Sequence, residues 1–407
     1  MGKHTRKKLK LHHAQRITKK RGFRDNIHPR NEKAVVVVVG HKKKSRNCHP
    51  QVIGKTISQD SCLTPAMLEK IKHKYNEKSH EHKIVSENPE KIYDELKAKS
   101  YCHSERCIIK KALGNKHLFD LWIKEIEAPE HPNDWKKNPN EWLSNVDIHL
   151  VMKQYEKTYP EFLFLGPTSI NFDERVSNGR CVGDDICHST LRKFLAMNPS
   201  KRKIGIVFNL SRNDQPGSHW VSLFFHFPFS EHGGEISQTE MGGYRHAKMG
   251  EEKCKKILDK SNSVIWDENT PYAFFFDSGG ADAPQQVLNM ICRFYQEWEE
   301  IKPVGSMSMQ YDDNHRTNAE HQFGGTECGM YSLFFIITML TGICGGKAAM
   351  LNARRLKKRD ICPKDFQLRG EQEKRDYFLS HGKWNHKRIP DRFVQEFRSI
   401  YFNPKMD

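Results

Sequence analysis

Cys328 has the surroundings of a catalytic nucleophile. Small and turn-forming residues precede it, among them Gly324 and Gly325, and an almost wholly apolar run from Met330 to Leu340 follows it. This pattern predicts a cysteine at the N-terminus of a buried helix, with glycines that let a substrate approach the backbone closely. A thiol at such a position lies in the positive field of the helix dipole, which favours the reactive thiolate form.

A nucleophilic cysteine needs a base and a group that orients the base, and His219 and Asp277 are the candidates. His219 begins a stretch of aromatic and β-branched residues, and Asp277 ends another. In such a site the imidazole takes the thiol proton and later protonates the leaving amine, while the carboxylate fixes the tautomer of the ring. Asp267 competes for the third role. We prefer Asp277 because it follows a stronger apolar strand and precedes glycines that leave it accessible.

Gln322 and the backbone N–H of Cys328 are candidate donors for an oxyanion hole. The glutamine lies six residues before the cysteine, and preorganised donors near the nucleophile stabilise the charge of a tetrahedral intermediate. Each residue alone is a weak signal. The chain has 22 histidines and 11 cysteines, most of which have no catalytic role, and Asp277 before Ser-Gly-Gly is typical of a turn at a strand end. The four residues together are much less expected by chance.

Local patterns predict the elements that would position these residues. Aromatic and β-branched stretches bounded by turn-forming clusters predict strands, at residues 162–167, 203–210, 219–227, 271–277 and 306–310. Apolar residues at helical spacing predict helices, at residues 64–75, 92–96, 117–126, 141–155, 186–197, 284–298, 328–340 and 392–401. A polar turn joins the second strand to the third, which predicts a hairpin.

The basic charge of the chain is concentrated in its first 46 residues. They contain 16 Lys and Arg against 2 Asp and Glu, and so carry +14 of the formal net charge of +17. Such a tail predicts binding to nucleic acid or to a nuclear import receptor, and a solvated extension without a dedicated partner is an equal alternative. We predict a flexible basic tail at 1–50, a helical arm domain at 51–140 and a catalytic domain at 141–407 with insertions at about 231–262 and 345–390.

We predict that the thiols of the chain are mostly free. No apolar segment of the kind found in signal peptides follows the basic start, and the longest apolar run is too short to span a membrane, which predicts a reducing, intracellular setting. Cys102 and Cys107 are separated by four residues, but no C-x-x-C pair accompanies them. Buried or incidental thiols are therefore favoured over a zinc site, and we predict neither a metal nor a cofactor.

The order and the flanks of the candidate residues resemble the Ulp1/adenain clan of cysteine proteases. A His-Trp pair opens one strand (Gly217 to Phe224), an aromatic-Asp-Ser sequence closes the next (Phe274 to Ser278), and a glutamine precedes a Cys-Gly pair by six positions (Gln322 to Ser332), as in that clan. Trp142 and the leucine after it resemble the entry segment of the clan. The resemblance covers about residues 141–340. It implies an α+β fold, with a papain-like or adenain-like core in which helices flank a central mixed sheet.

A closer similarity is to the processing proteases of large nucleocytoplasmic DNA viruses, of the African swine fever virus type. Segments from Asp60 to Leu63, Ser104 to Ile109 and Arg388 to Phe402 resemble the N-terminal arm and C-terminal helix of that subgroup. The chain departs from that relative at Asp277, where the relative has asparagine, and in its basic tail and two insertions. The resemblance implies an enzyme of the virion and host cytoplasm, or of the nucleus if the tail is an import signal, that cleaves core polyproteins after Gly-Gly-type sites.

The resemblance also implies a narrow tunnel, walled by Trp142 and Trp220, that admits glycines and excludes branched side chains. A core role is an equal alternative for Trp220, since strand tryptophans are usually buried. An isopeptidase for SUMO or another ubiquitin-like protein is the second hypothesis. An inactive module that binds Gly-Gly tails is less favoured because the set of four catalytic residue types is intact. An acyltransferase is less favoured because Trp220 and Gln322 fit the peptidase pattern better. The adenoviral branch of the clan uses DNA, which makes DNA a candidate activator through residues 1–46.

Overall fold

A mixed five-stranded sheet lies at the centre of the protein. The computed structural model describes residues 46–79, 82–176, 179–187, 190–197, 200–228, 256, 258, 264–352, 356, 361–385 and 387–405. The strands are β1 (Phe162–Ser169), β2 (Lys203–Asn209), β3 (Trp220–His226), β4 (Tyr272–Phe276) and β5 (Gln310–Asp313), in that order across the sheet. The outer pairs β1/β2 and β4/β5 are parallel, and β3 is antiparallel to both of its neighbours. The predicted α+β class and the hairpin of β2 and β3 are confirmed.

Both faces of the sheet are buried. Phe274 and Phe276 of β4 belong to one apolar core, and Phe275 between them belongs to a second core on the opposite face. Successive side chains of a strand point to opposite faces, so a strand covered on both sides needs apolar residues at almost every position. This requirement explains why β3 and β4 are nearly continuous runs of aromatic and aliphatic residues.

Helices flank the sheet and also form a bundle at the N-terminal side of the chain. They are α1 (Pro65–Lys78), α2 (Pro89–Lys99), α3 (Glu105–Leu113), α4 (Lys116–Ile126), α5 (Asn145–Thr158), α6 (Asp184–Cys187), α7 (Leu191–Met197), α8 (Gln285–Ile301), α9 (Cys328–Thr341), α10 (Gly346–Leu351), α11 (Glu371–Leu379), α12 (Asp391–Glu396) and α13 (Arg398–Tyr401). Helices α1 to α4 enclose a core of their own, which includes Leu68, Ile92, Ile109 and Ile126. None of the helices described is long and apolar enough to cross a membrane.

The helix that begins at Cys328 is buried along almost its whole length. Every residue of α9 from Cys328 to Leu340 is buried, as the apolar run predicted. The helix packs on the sheet face that carries Phe274 and Phe276, and the ring of Phe335 stacks on that of Phe276 with centroids 4.8 Å apart. Full burial of one such side chain contributes about 2 kcal/mol. Packing of this extent fixes α9, and with it Cys328, relative to the strand ends.

The strand predicted at residues 306–310 is wrong in position, because β5 begins at Gln310. The backbone N–H of Gln310 donates to the carbonyl of Pro271, the residue before β4, at 2.8 Å. Proline has no N–H with which to continue the ladder. The alternation of polar and apolar residues before Gln310 therefore lies beyond the end of the neighbouring strand, where no pairing is available.

The structure places parts of the predicted tail and insertions in the packed protein. Residues 1–45 and nearly all of 231–262 lie outside the described residues, but residues 46–50 of the predicted tail are packed. Nε of Arg46 donates to Glu127 at 2.6 Å, and the backbone N–H of Asn47 donates to the side chain of Asn403 at 2.7 Å. The segment 345–390 also contributes to the core around α9, through the buried side chains of Phe366, Tyr377, Phe378 and Trp384.

The prediction of free thiols is wrong for most of the described cysteines. Disulfides join Cys48 to Cys62, Cys102 to Cys107, Cys181 to Cys187 and Cys344 to Cys362. The first two pairs have Cα atoms 5.2 and 5.5 Å apart, a separation that a disulfide spans. The fold brings these residues together, which compartment arguments from sequence do not reveal. Within the described ranges, no group of three or more His, Cys, Asp or Glu side chains is arranged to hold a metal ion.

Candidate active site

Two adjacent strand ends bring His219 and Asp277 together. His219 directly precedes β3, and Asp277 directly follows β4. The two strands are antiparallel neighbours with Ser222 opposite Phe276, so the start of β3 lies beside the end of β4. Nε2 of His219 is hydrogen-bonded to Oδ1 of Asp277 at 2.7 Å. The carboxylate is therefore placed to fix the orientation and tautomer of the imidazole.

Asp277 is held rigidly in this position. Its side chain is buried, and Oδ1 also accepts a hydrogen bond from the backbone N–H of Gly279 at 2.7 Å. The fully buried side chain of Asn314 binds both backbone groups of Asp277. Its Nδ2 donates to the Asp277 carbonyl at 2.6 Å, and its Oδ1 accepts from the Asp277 N–H at 3.0 Å. Asp267, the sequence-based competitor, instead accepts hydrogen bonds from Thr270 in its own turn.

Cys328 is the first residue of α9 and lies near enough to His219 to affect the pKa of its ring. The thiol is buried and unoxidised, in contrast to the paired cysteines described above. Burial alone would lower the pKa of His219, but its interactions with Asp277 and Cys328 outweigh this effect and raise the pKa to about 10. The imidazole of His219 is therefore protonated at neutral pH, and an imidazolium beside a cysteine favours the reactive thiolate.

The side-chain amide of Gln322 has a fixed orientation beside this site. Its Oε1 accepts a hydrogen bond from the hydroxyl of Ser278 at 2.7 Å, and its Nε2 donates to the carbonyl of Gly324 at 2.8 Å. One N–H of the amide remains for a further acceptor. The first N–H groups of a helix have no partner within the helix, so the backbone N–H of Cys328 is a second candidate donor.

A cavity of about 560 Å³ is lined by Trp142 and by Trp220, the residue after His219, but His219, Asp277, Gln322 and Cys328 do not line it. Trp142 is 36% exposed, whereas Trp220 is buried and donates from Nε1 to the carbonyl of Leu143 at 2.9 Å. A Cβ at Gly329, next to the nucleophile, would lie 3.0 Å from Leu143 Cβ and 3.3 Å from Trp220 Cδ1. The absence of a side chain at this position lets the cysteine lie close to the cavity wall. Trp220 thus lines the cavity and packs in the core at once.

The chain is similar to a viral thiol protease. It is 29% identical over 202 residues to "Putative thiol protease R355" of Acanthamoeba polyphaga mimivirus. The match covers 50% of this chain and 49% of the relative, so the chain spans about half the length of the curated relative it matches. The resemblance to viral thiol proteases is confirmed by this relative, while no protein-family model matches the chain.

Two crystal structures of the ASFV pS273R protease, one of them with selenomethionine, also show a likeness. The TM-scores are 0.44 and 0.43 and the sequence identities 17% and 16%. In each case the alignment covers 89% of this chain and 97% of the viral protease.

Ser278 and Asn314 are site residues that the sequence analysis did not assign. Ser278 directly follows Asp277, and its adjacency to a candidate carboxylate was an available signal. Asn314 lies 37 residues after Asp277, beyond the end of β5, and no local pattern distinguishes it from other asparagines. Both residues hold catalytic candidates in place, which a search for reactive residue types alone does not detect.

We expect the stabilising effect of His219 to disappear at high pH. The pKa of His219 is raised from 6.5 to about 10 in the folded protein, so its charged form stabilises the fold fully below pH 6.5 and loses this effect as the pH rises through 10. The measurement is the difference in free energy of unfolding between the wild type and His219→Gln, from urea titrations at several pH values. A difference that stays constant up to pH 10 would contradict the expectation.

Proposed function

We propose that the chain is a cysteine endopeptidase. The observation that carries the proposal is the hydrogen bond of 2.7 Å between Asp277 and His219, with Cys328 near the imidazole at the first position of a buried helix. A carboxylate, an imidazole and a thiol joined in this order are the parts of a cysteine-protease active site. The similarity of half of the chain to a viral thiol protease supports the same class of reaction.

In the proposed reaction, Sγ of Cys328 attacks the carbonyl carbon of the scissile peptide bond. The negative oxygen that forms accepts hydrogen bonds from the Cys328 backbone N–H and the Gln322 amide. The imidazolium of His219 then gives its proton to the leaving amine, and a thioester remains on the enzyme. In the second half, His219 takes a proton from water and the hydroxide attacks the thioester, which releases a carboxylic acid and leaves the Cys328 thiolate beside the His219 imidazolium. Asp277 holds the ring in the orientation that both transfers need.

We further propose that the substrate is a viral core polyprotein, cleaved after Gly-Gly-type sites during virion maturation. Leu143 and Trp220 crowd the position of Gly329, the residue after the nucleophile, and Trp142 lines the same cavity as both, which supports a preference for small substrate residues. The polyprotein and the virion are proposed from the resemblance to the processing proteases of large DNA viruses. The proposed binding of nucleic acid by residues 1–46 stays a prediction, since all but Arg46 lie outside the described residues.

A peptide panel tests the reaction and its selectivity together. We expect wild-type enzyme to cleave Gly-Gly-X peptides after the second glycine, at least about tenfold faster than peptides with valine at either glycine position. Rates follow from a fluorogenic readout, and mass spectrometry of the products locates the cleaved bond. Equal rates for glycine and valine peptides would contradict the proposed tunnel, and cleavage of neither would contradict the proposed peptidase.

SUMO and ubiquitin-like precursors form the second arm of the same experiment. An isopeptidase for such proteins uses the same catalytic residues, so it differs from a polyprotein processing enzyme in its preferred substrate and not in its chemistry. Faster cleavage of a precursor than of the matching Gly-Gly-X peptide would favour the isopeptidase. Binding of Gly-Gly tails without any cleavage would identify an inactive binding module instead.

A further inference from the structure

The loop that leads to the nucleophile is held by the last two helices of the chain. This nucleophile loop, residues 322–327, contains two glycines, and its Phe323 is 67% exposed. Helices α12 and α13 supply three side chains that bind it: Asp391, Gln395 and Arg398. An exposed loop with adjacent glycines has little conformational restriction of its own. The contacts from the C-terminal helices therefore fix its conformation.

Asp391 binds the middle of this loop. Its Oδ2 accepts hydrogen bonds from the backbone N–H groups of Phe323 at 3.2 Å and Gly324 at 3.1 Å. Its Oδ1 accepts from the hydroxyl of Tyr331, in the first turn of α9, at 3.0 Å. The guanidinium of Arg388 donates to Oδ2 at 2.7 Å and lies 3.8 Å from the ring centroid of Phe323. One carboxylate thus ties the loop to α9 and to the C-terminal segment.

Gly324 connects Asp391 to the candidate oxyanion donor. Its N–H donates to Asp391, and its carbonyl oxygen accepts the hydrogen bond from Nε2 of Gln322 at 2.8 Å. The other end of the Gln322 amide is held by Ser278. A shift of Gly324 would therefore turn the amide of Gln322 and move its remaining N–H away from the carbonyl under attack.

We propose that Asp391 is a positioning residue for catalysis, which holds Gly324 so that Gln322 can stabilise the oxyanion. The inference rests on the proposed peptidase function. Asp391 acts on a different part of the site from Asp277, because Asp277 orients the base that activates the thiol. Loss of Asp391 should therefore weaken transition-state stabilisation and leave the reactivity of Cys328 toward small alkylating agents unchanged.

Asp391→Ala is the variant that tests this inference. We expect kcat for a Gly-Gly-X peptide to fall by about tenfold to a hundredfold with little change in KM, because a displaced donor fails mainly in the transition state. Asp391→Asn keeps one acceptor oxygen, so its kcat should fall less than that of Asp391→Ala. Glu396→Ala removes a carboxylate from the same helix that does not hold the loop, and should match the wild type. Alkylation of Cys328 by iodoacetamide, which needs no oxyanion hole, should proceed at the wild-type rate in all three.

A double-mutant cycle with Gln322→Ala separates positioning from general structural support. If Asp391 acts through Gln322, Asp391→Ala should cost less than about twofold in kcat once Gln322 is already alanine. A residue that only stabilises the fold would cost the same in both backgrounds. An equal cost, an unchanged kcat in the single variant, or slower alkylation of Cys328 together with a lower Tm would each overturn the inference.

Hydrogen exchange keeps the inference testable if the wild type cleaves no substrate, a result that would contradict the proposed function alone. Asp391→Ala should then speed amide exchange at Phe323 and Gly324 and shift the NMR signals of the Gln322 side-chain amide. Exchange rates and shifts like those of the wild type would overturn the positioning role. If Asp391→Ala does not fold, amide exchange and the NMR shifts are measured on Asp391→Asn instead, with the same expected and contradicting results.

Discussion

Replacing Cys328 by alanine is expected to abolish peptide cleavage, with kcat/KM reduced by about a thousandfold or more. The thiol is the atom that forms the covalent intermediate in the proposed reaction. The cysteines in the described disulfides have no free thiol to replace it. The measurement is kcat/KM for a Gly-Gly-X peptide, with purified proteins compared at equal concentration.

The loss should not arise from unfolding. Cys328→Ala removes one buried atom at the start of α9 and should cost about 1 kcal/mol of stability, which urea unfolding measures. Ser332→Ala is a matched control, because Ser332 is another small buried residue one turn further along the same helix. Retention of more than about a tenth of the wild-type rate by Cys328→Ala would mean that the nucleophile lies elsewhere.

The parts of the fold that could be predicted from sequence are those with strong local patterns. The central strands were visible because burial on both faces demands unbroken aromatic and aliphatic runs, as in β3 and β4. Helix α9 was visible for the same reason. His219 and Asp277 lie at the ends of such strands, so the two side chains come into contact if the two strands are neighbours in the sheet. The 2.7 Å contact between them follows from that pairing.

Features that depend on distant parts of the chain were not predictable in this way. The contact between Asp391 and the nucleophile loop joins residues 67 or more positions apart, and neither segment carries a pattern that identifies the other. The disulfide of Cys344 and Cys362 has a similar origin, since the path of the chain after α9 brings the two residues together. The lack of a signal peptide says nothing about which cysteines the fold brings together. Supporting residues such as Asn314 escape prediction because they bind backbone groups, which every residue has.

Replacing His219 by alanine is expected to reduce kcat/KM by about a thousandfold, because proton transfer in both halves of the reaction depends on this ring. The variant also separates activation of the thiol from the presence of the thiol. In the wild type the pKa of His219 is raised by its interactions with Asp277 and Cys328 against the effect of burial, so the ring is an imidazolium at neutral pH. The measurements are peptide cleavage and the rate of Cys328 alkylation by iodoacetamide at neutral pH.

Alkylation in His219→Ala should slow to the rate of an ordinary buried thiol, since no imidazolium remains to stabilise the thiolate. Asp277→Asn is the matched comparison, because the amide can still accept the hydrogen bond from His219 but carries no charge. Peptide cleavage should therefore fall less in Asp277→Asn than in Asp277→Ala. Wild-type alkylation in His219→Ala would mean that another group activates Cys328. The order of proton transfers inferred from the Asp277, His219 and Cys328 geometry would then be wrong, even if Cys328 proved to be the nucleophile.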